Sequence, residues 1–429
     1  LGAGMAGILA GIKLQEVGIN DFTIYEKADR IGGTWRENTY PGLTCDTPSH
    51  HYTYSFERNP DWTRYLPPGE EIQTYFERVT AKYGVDRFIR FGREATRAEF
   101  RDGRWHLEFD NGERDSADIL IAATGVLHHP KCPDIPGMSD FEGQLFHSAR
   151  WDHSVPLDGQ RIGIIGNGST GVQLVSALAG RAALLEHYQR TAQWIMPVEN
   201  GYYSEEQRAA FHDPAVLEEA MDFAGYNDAV DAYTQAIIDP DSEGARQFAQ
   251  ACLDNLEQGV TDPEQREKLR PDHKPLCYRL VFSPDYYQAI QHPQAALVTE
   301  GIERIEAKGI RTTDGQLHEL DLIVLATGFR ADAFMRPMKI TGRGGRDLET
   351  LWSDHPKAYL AVTLPDFPNF FMLNGPNGPV GNFSLIDIAE HQWHYIDHFI
   401  DRLRRGEADE ICCTEQALQN FESERTAAA

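Results

Sequence analysis

RIGIIGNGSTGVQLVSALA, residues 161–179, decides the fold. Residues 161–165 form an apolar run of strand length, and Gly166, Gly168 and Gly171 follow in GxGxxG spacing before a helical stretch. The first glycine lets the chain turn tightly, the second lets the backbone approach a pyrophosphate, and the helix N-terminus faces the phosphate charge. The next strand, ALLEHYQRT (183–191), ends on Arg190 and Thr191 with no acid at its tip. An acid there would select an unphosphorylated ribose. A cation and a hydroxyl suit a 2'-phosphate, so this site is expected to take NADP(H).

Outward from this stretch the motif recurs at the start of the chain. LGAGMAG supplies Gly2, Gly4 and Gly7, a helical stretch follows, and DFTIYEK ends a second strand at Glu26, 19 residues after Gly7. Here the acid is present, placed to accept from a ribose hydroxyl. A strand is expected to precede these glycines. Both halves also carry a late strand, DILIAATG (118–125) and DLIVLATG (321–328), with the continuous apolar run of a buried parallel strand. Two nucleotide folds with equivalent end strands imply one inserted into the other. The expected class is therefore α/β, with two Rossmann-like three-layer domains. The expected limits are an FAD-binding first part at 1–128, a linker at 129–157, an NADP-binding domain at 158–325 and an FAD-binding second part at 326–429.

FAD is assigned to the first site from its surroundings. IGGTW (31–35) brings Gly32 and Gly33 for further close backbone approach. LNGPNGPVGNFSLIDIAEHQW (373–393) places a Gly/Pro/Asn loop and Ser384 before a helix whose stripe is Leu385, Ala389, Trp393, Ile396, Ile400 and Leu403. That helix would aim its positive end at an electron-rich flavin edge, and Ser384 is counted with the cofactor-binding residues. Residues 199–275 are acidic, helical in pattern and broken by Asp-Pro at 213–214, 239–240 and 262–263. We read them as a helical insertion in the NADP domain, placed to cap a substrate cavity.

Composition removes other classes. Acidic residues outnumber basic ones 66 to 40, for a formal charge of −26, which argues against nucleic acid or an anionic membrane as partner. No apolar run approaches the roughly 18 residues of a membrane span. Six cysteines without a CxxC pair exclude a redox dithiol and fit a reducing cytoplasm. His50–His51, His128–His129 and the set His391, His394 and His398 have no carboxylate-rich shell, so no metal is expected. Ser169 and Thr170 are a phosphate-loop pair, not a nucleophile, because no GxSxG elbow surrounds them.

Between the two sites lies FEGQLFHSARWD, residues 141–152, after the Pro-rich PKCPDIPGMSD. It fits F-x-G-x-x-x-H-x-x-x-W-D through Phe141, Gly143, His147, Trp151 and Asp152. With both glycine motifs and both ATG strands, it makes the chain resemble the Baeyer–Villiger monooxygenases, class B flavoprotein monooxygenases, over essentially its whole length. YPGLTCD (40–46), QRTAQW (189–194) and YRLVFSPDYY (278–287) look most like the subgroup around 4-hydroxyacetophenone monooxygenase.

The resemblance implies that NADPH reduces FAD and that a C4a-peroxyflavin, kept anionic, inserts one oxygen next to a ketone carbonyl to give an ester or lactone. Its partners would be a small-molecule ketone and O2. The fixed cation such chemistry demands maps onto Arg279, and its orienting carboxylate onto Asp46. The resemblance also places Thr34, Trp35 and Tyr52 near FAD, and Thr44 and Cys45 beside Asp46 on the NADP side. Asn167, Ser169, Thr170 and Gln173 would surround the NADP pyrophosphate, with Arg190 and Thr191 on the 2'-phosphate. Phe141 and Trp151 are expected as anchors, Gly143 as a backbone contact, and His147 as a hydrogen-bonding group across a junction that rotates in turnover. The chain departs from the pattern at Tyr278, where several relatives have Lys, and relatives continue past FESERTAAA with a segment that returns to the active site. Two alternatives stand beside this reading. One is a flavin monooxygenase oxidising sulfur or nitrogen, whose equivalent segment lacks the Trp-Asp ending. The other is a non-catalytic nucleotide sensor or scaffold.

Overall fold

The computed structural model describes residues 1–378 and 384–428. Residues 379–383, part of the Gly/Pro/Asn loop read from the sequence, lie outside them. The two glycine motifs head two parallel sheets. The second sheet has five strands in the order Ala295–Val298, Leu184–Tyr188, Arg161–Ile165, Leu322–Leu325 and Gln144–His147, all parallel. Its central strands are apolar on both faces because the helix Ser169–Leu178 covers one side and a meander carrying Ile305 and Ile310 covers the other. Ile162, Val172, Val175, Leu185 and Val324 form the core beneath.

The first unit repeats this plan through hydrogen bonds that reach past its named strands. Ile24–Tyr25 pairs with Ile89–Arg90, and Leu120–Ala122 with Phe370–Met372, both in parallel. Leu1–Ala3 bridges the two pairs: Gly2 N donates to Tyr25 O and Ala123 N to Leu1 O, each at 2.8 Å. The second unit makes the equivalent bonds, Gly166 N to Tyr188 O at 3.2 Å and Ala326 N to Ile165 O at 2.8 Å. The repeat extends to an antiparallel meander before each late strand. Ala95–Arg101, Arg104–Phe109 and Arg114–Ala117 form it in one unit, and Ile302–Glu306, Gly309–Thr312 and Leu317–Glu319 in the other.

Residues 129–157 need a correction as a linker. Gln144–His147 is an edge strand of the NADP sheet, paired with Leu322–Leu325. Its main-chain groups find partners there that an extended linker would leave to water. Gly143 precedes it because a Cβ at that position would lie 2.5 Å from Asp321 O. Phe141 packs on the cluster around Ile323 and Leu325. Trp151 meets Phe146 edge-on at 5.1 Å, and Asp152 turns the chain by accepting from Ser154 N at 2.9 Å.

The insertion holds five helices: Glu205–Ala210, Pro214–Met221, Phe223–Ile238, Glu243–Gly259 and Pro263–Lys268. Two of the Asp-Pro pairs start helices as well as separating them. Asp213 and Asp262 cap with their side chains, and each following proline sits in the first turn, where its missing N–H costs nothing. The helix Leu385–Arg404 buries Ile386, Ile388, Ala389, Trp393, Ile396 and Ile400, and Glu415–Ala428 follows it. His391, His394 and His398 stay on the exposed face of Leu385–Arg404. Among the described residues no helix is long and apolar enough to cross a membrane.

Candidate active site

A cavity of about 840 Å³ is lined from both units: Gly2, Gly4, Glu26 and Gly33 from one, Gly168, Ser169, Thr170 and Gln173 from the other. Each glycine motif makes the same cradle. A Cβ on Gly7 would lie 1.9 Å from Gly2 O, and one on Gly171 1.9 Å from Gly166 O, so turn and helix touch in both copies. The middle glycines differ in kind. Gly4 faces only the bare backbone of Gly33 at 3.5 Å, and Gly168 has nothing within 4 Å. Both helices that follow, Met5–Glu16 and Ser169–Leu178, lack a side-chain N-cap, whereas Ser204, Asp213, Ser242, Asp262, Asp347 and Ser384 cap theirs. Uncapped N–H groups at an open, side-chain-free floor fit a pyrophosphate.

Glu26 is buried. It accepts from Ala3 N at 2.8 Å, Ala28 N at 2.9 Å and Arg36 Nη1 at 3.1 Å. Arg36, absent from the sequence reading, orients this carboxylate at the cavity wall. Trp35 of the short helix Thr34–Glu37 donates from Nε1 to the Tyr52 hydroxyl at 3.0 Å, and both line the cavity with Thr34. These residues fit a dinucleotide whose ribose meets Glu26.

On the other side, Asn167 donates to Gln189 Oε1 at 3.1 Å and Thr191 O at 2.6 Å, which ties the phosphate turn to the strand end. Arg190 is exposed, makes no ion pair among the described residues, and lies with Thr191 outside the cavity lining. Ser384 is fully buried, and its hydroxyl accepts from Ile386 N at 3.3 Å. It caps a helix and is not among the residues that line the cavity. The insertion also departs from expectation: no residue of 199–275 lines the cavity, the turn at Met221 packing on His51 and the helix Glu243–Gly259 on the strand Ile195–Pro197 of the NADP unit.

Arg279 and Asp46, 233 residues apart, meet at the cavity: Nε donates to Oδ2 at 2.8 Å. The Arg279 side chain is 44% exposed and lines the cavity. Burial lowers its pKa, and the Asp46 charge and hydrogen bond outweigh that, so it stays above its ordinary value. The loop carrying Asp46 is fixed by a contact the sequence reading missed. Gln173 Nε2 donates to Thr44 Oγ1 at 3.1 Å, while its Oε1 accepts from the Tyr40 hydroxyl at 2.8 Å. Cys45 between them is buried, its thiol pushed up to about 12 by burial and then by the Asp46 charge, and so inert. Tyr278 is 61% exposed at the same wall, its ring edge-on to His273 at 5.0 Å.

His147 joins the crossings between units. Ala149 N donates to Nδ1 at 3.1 Å, so Nε2 carries the proton and donates to Gly328 O at 3.0 Å. Burial lowers its pKa and keeps this tautomer neutral. Beside it, Lys131 N donates to Gly328 O and Arg330 N to His129 O, both at 2.9 Å.

A family profile described as pyridine nucleotide-disulphide oxidoreductase matches residues 1–204. An uncharacterized monooxygenase of Mycobacterium tuberculosis is 48% identical over 409 residues, covering 95% of this chain and 82% of that one. A Baeyer–Villiger monooxygenase of Streptomyces coelicolor is 35% identical over 408 residues, covering 94% and 78%. The NADP+-bound structure of cyclohexanone monooxygenase from Rhodococcus sp. Phi1 superposes with a TM-score of 0.89 at 32% identity, covering 100% of this chain and 88% of that one. With two nucleotide seats facing one cavity, and relatives of this identity aligned over nearly the whole chain, the protein belongs to the Baeyer–Villiger monooxygenase family and is an FAD- and NADPH-dependent flavoprotein.

Proposed function

We propose that the protein inserts one atom of O2 beside the carbonyl of a small-molecule ketone, giving an ester or lactone, with Arg279 as the fixed cation and Asp46 as its orienting group. FAD, when bound and reduced by NADPH, supplies the activated oxygen. The observation that carries the assignment is the 2.8 Å Arg279–Asp46 bond at the wall of the cavity that both glycine cradles share. That bond uses the Nε donor and leaves both terminal amino groups for the cavity. A permanently charged, planar group so held stabilises negative charge on oxygen without reorganising, and a water-poor cavity makes it more effective. Asp46 fixes the plane of the guanidinium, and the Gln173–Thr44 bond fixes the loop that carries Asp46.

For the coenzyme, Arg190 is the unpaired cation at the strand end and is assigned to the 2'-phosphate, with Thr191 beside it. We keep 1–128 with 326–429 as the FAD domain and extend the NADP domain of 158–325 to include Gln144–His147. The six free cysteines suit a reducing cytoplasm. An aryl ketone, as in the 4-hydroxyacetophenone monooxygenase subgroup, is the first substrate to try.

The test is Arg279→Ala. Ester formation should fall by about 10²–10³ while anaerobic reduction of the flavin by NADPH persists. Full ester yield in that variant would remove Arg279 from this role.

A further inference from the structure

Tyr226 lies in the helical insertion, away from the cavity, yet two of its contacts reach residues adjoining the cavity wall. Its ring lies flat on His51, with centroids 3.8 Å apart and planes at 12°, and its hydroxyl accepts from Ser384 N at 3.2 Å. His51 precedes Tyr52, and Ser384 precedes Leu385; Tyr52 and Leu385 both line the cavity. The same turn of the insertion grips His51 twice more. His51 Nε2 donates to Met221 O at 2.6 Å, and Phe223 stands edge-on to the ring at 5.4 Å, with Arg58 over its own face at 5.4 Å. The Ser384 amide precedes the helix it caps and has no partner within it, so the phenol gives that buried N–H its acceptor.

We propose that Tyr226 is a positioning residue: it fastens the insertion to the FAD domain at His51 and Ser384, and so holds Tyr52 and Leu385 in place at the cavity wall. Its catalytic part rests on the activity proposed above. Loss of the hydroxyl frees one amide; loss of the ring also unseats the 221–226 turn. A wall held less firmly admits water, so reducing equivalents are lost before oxygen reaches the ketone.

The experiment uses the FAD-loaded full chain with Tyr226→Phe and Tyr226→Leu, the first keeping the stack should the second fold poorly. Hydrogen exchange at the Ser384 amide, read in a peptide that begins several residues before it, should accelerate about tenfold in Tyr226→Phe, and in Tyr226→Leu exchange across 221–238 as well. In both variants the fraction of consumed NADPH recovered as oxygenated ketone should fall at least about threefold, with the KM for NADPH within about twofold of the parent. Unchanged exchange in both variants would overturn the fastening, and faster exchange with unchanged coupling would overturn the positioning role. A parent protein that oxygenates no ketone would count against the proposed reaction, while the exchange result would still decide the contact.

Discussion

Arg279 and Asp46 come together because the loop holding Asp46, although part of the FAD domain, is seated on the first helix of the NADP domain through Gln173. Asp46→Asn should therefore cost less than Arg279→Ala, about tenfold in ester formation, because the cation remains but its plane is no longer fixed. Cys45→Ser should leave turnover nearly unchanged, since the buried thiol stays protonated; steady-state rates check both. Arg190→Ala should raise the KM for NADPH at least about tenfold and that for NADH little, and an equal rise would remove its phosphate role. These roles were not legible from spacing. Arg279 and Asp46 lie 233 residues apart, and only the resemblance to a known family joined them. Gln173 was placed at a pyrophosphate, while its bonds to Thr44 and Tyr40 depend on how two domains dock, which no local pattern encodes.

At the scale of elements the two glycine cradles were legible because their tightest packing is local: Gly7 and Gly171 meet the turn just before them, and Gly2 and Gly166 the end of the neighbouring strand. The positions should separate in experiment. Gly171→Ala places a Cβ 1.9 Å from Gly166 O and should lower the melting temperature sharply. Gly168→Ala meets nothing within 4 Å and should fold normally while weakening NADPH binding, which titration of coenzyme fluorescence would measure. Strand Gln144–His147 was not legible. Four residues carry too little periodicity, and the partner strand lies far along the chain at 322–325. Its fingerprint residues could be recognised without revealing that Gly143 clears Asp321 and that His147 grips Gly328. The insertion is legible as helical from its acidic, helical pattern between Asp-Pro breaks, and five helices stand there. Where it docks, on His51 through Met221 and on Ile195–Pro197 through Glu243–Gly259, depends on distant segments that no local pattern encodes.

For the whole molecule, the buried histidines set a response to acid. Burial pulls His187 and His50 down to about 4, against 6.5 when unfolded. The unfolded chain then binds more protons between those values, so the stability they confer is complete above pH 6.5 and lost as pH falls toward 4, on the order of 1–3 kcal/mol each. Asp387, raised to about 7 by burial and then by Glu390, acts in the opposite sense and favours the fold less as pH rises from about 4 to 7. With His128 also lowered to about 4 by burial, three histidines stand against one carboxyl, so thermal unfolding should show a lower midpoint at pH 5 than at pH 7.5, and a higher one would contradict these assignments. The central claim is that two nucleotide sites and one fixed cation serve oxygen insertion beside a carbonyl. It is tested most directly by giving the FAD-loaded protein NADPH, ¹⁸O₂ and a panel of aryl, cyclic and long-chain ketones, and weighing the products. The account predicts an ester or lactone carrying one labelled oxygen from at least one ketone, absent in Arg279→Ala. Oxygenation of sulfides or amines alone, or NADPH oxidation yielding only hydrogen peroxide with every ketone, would contradict it.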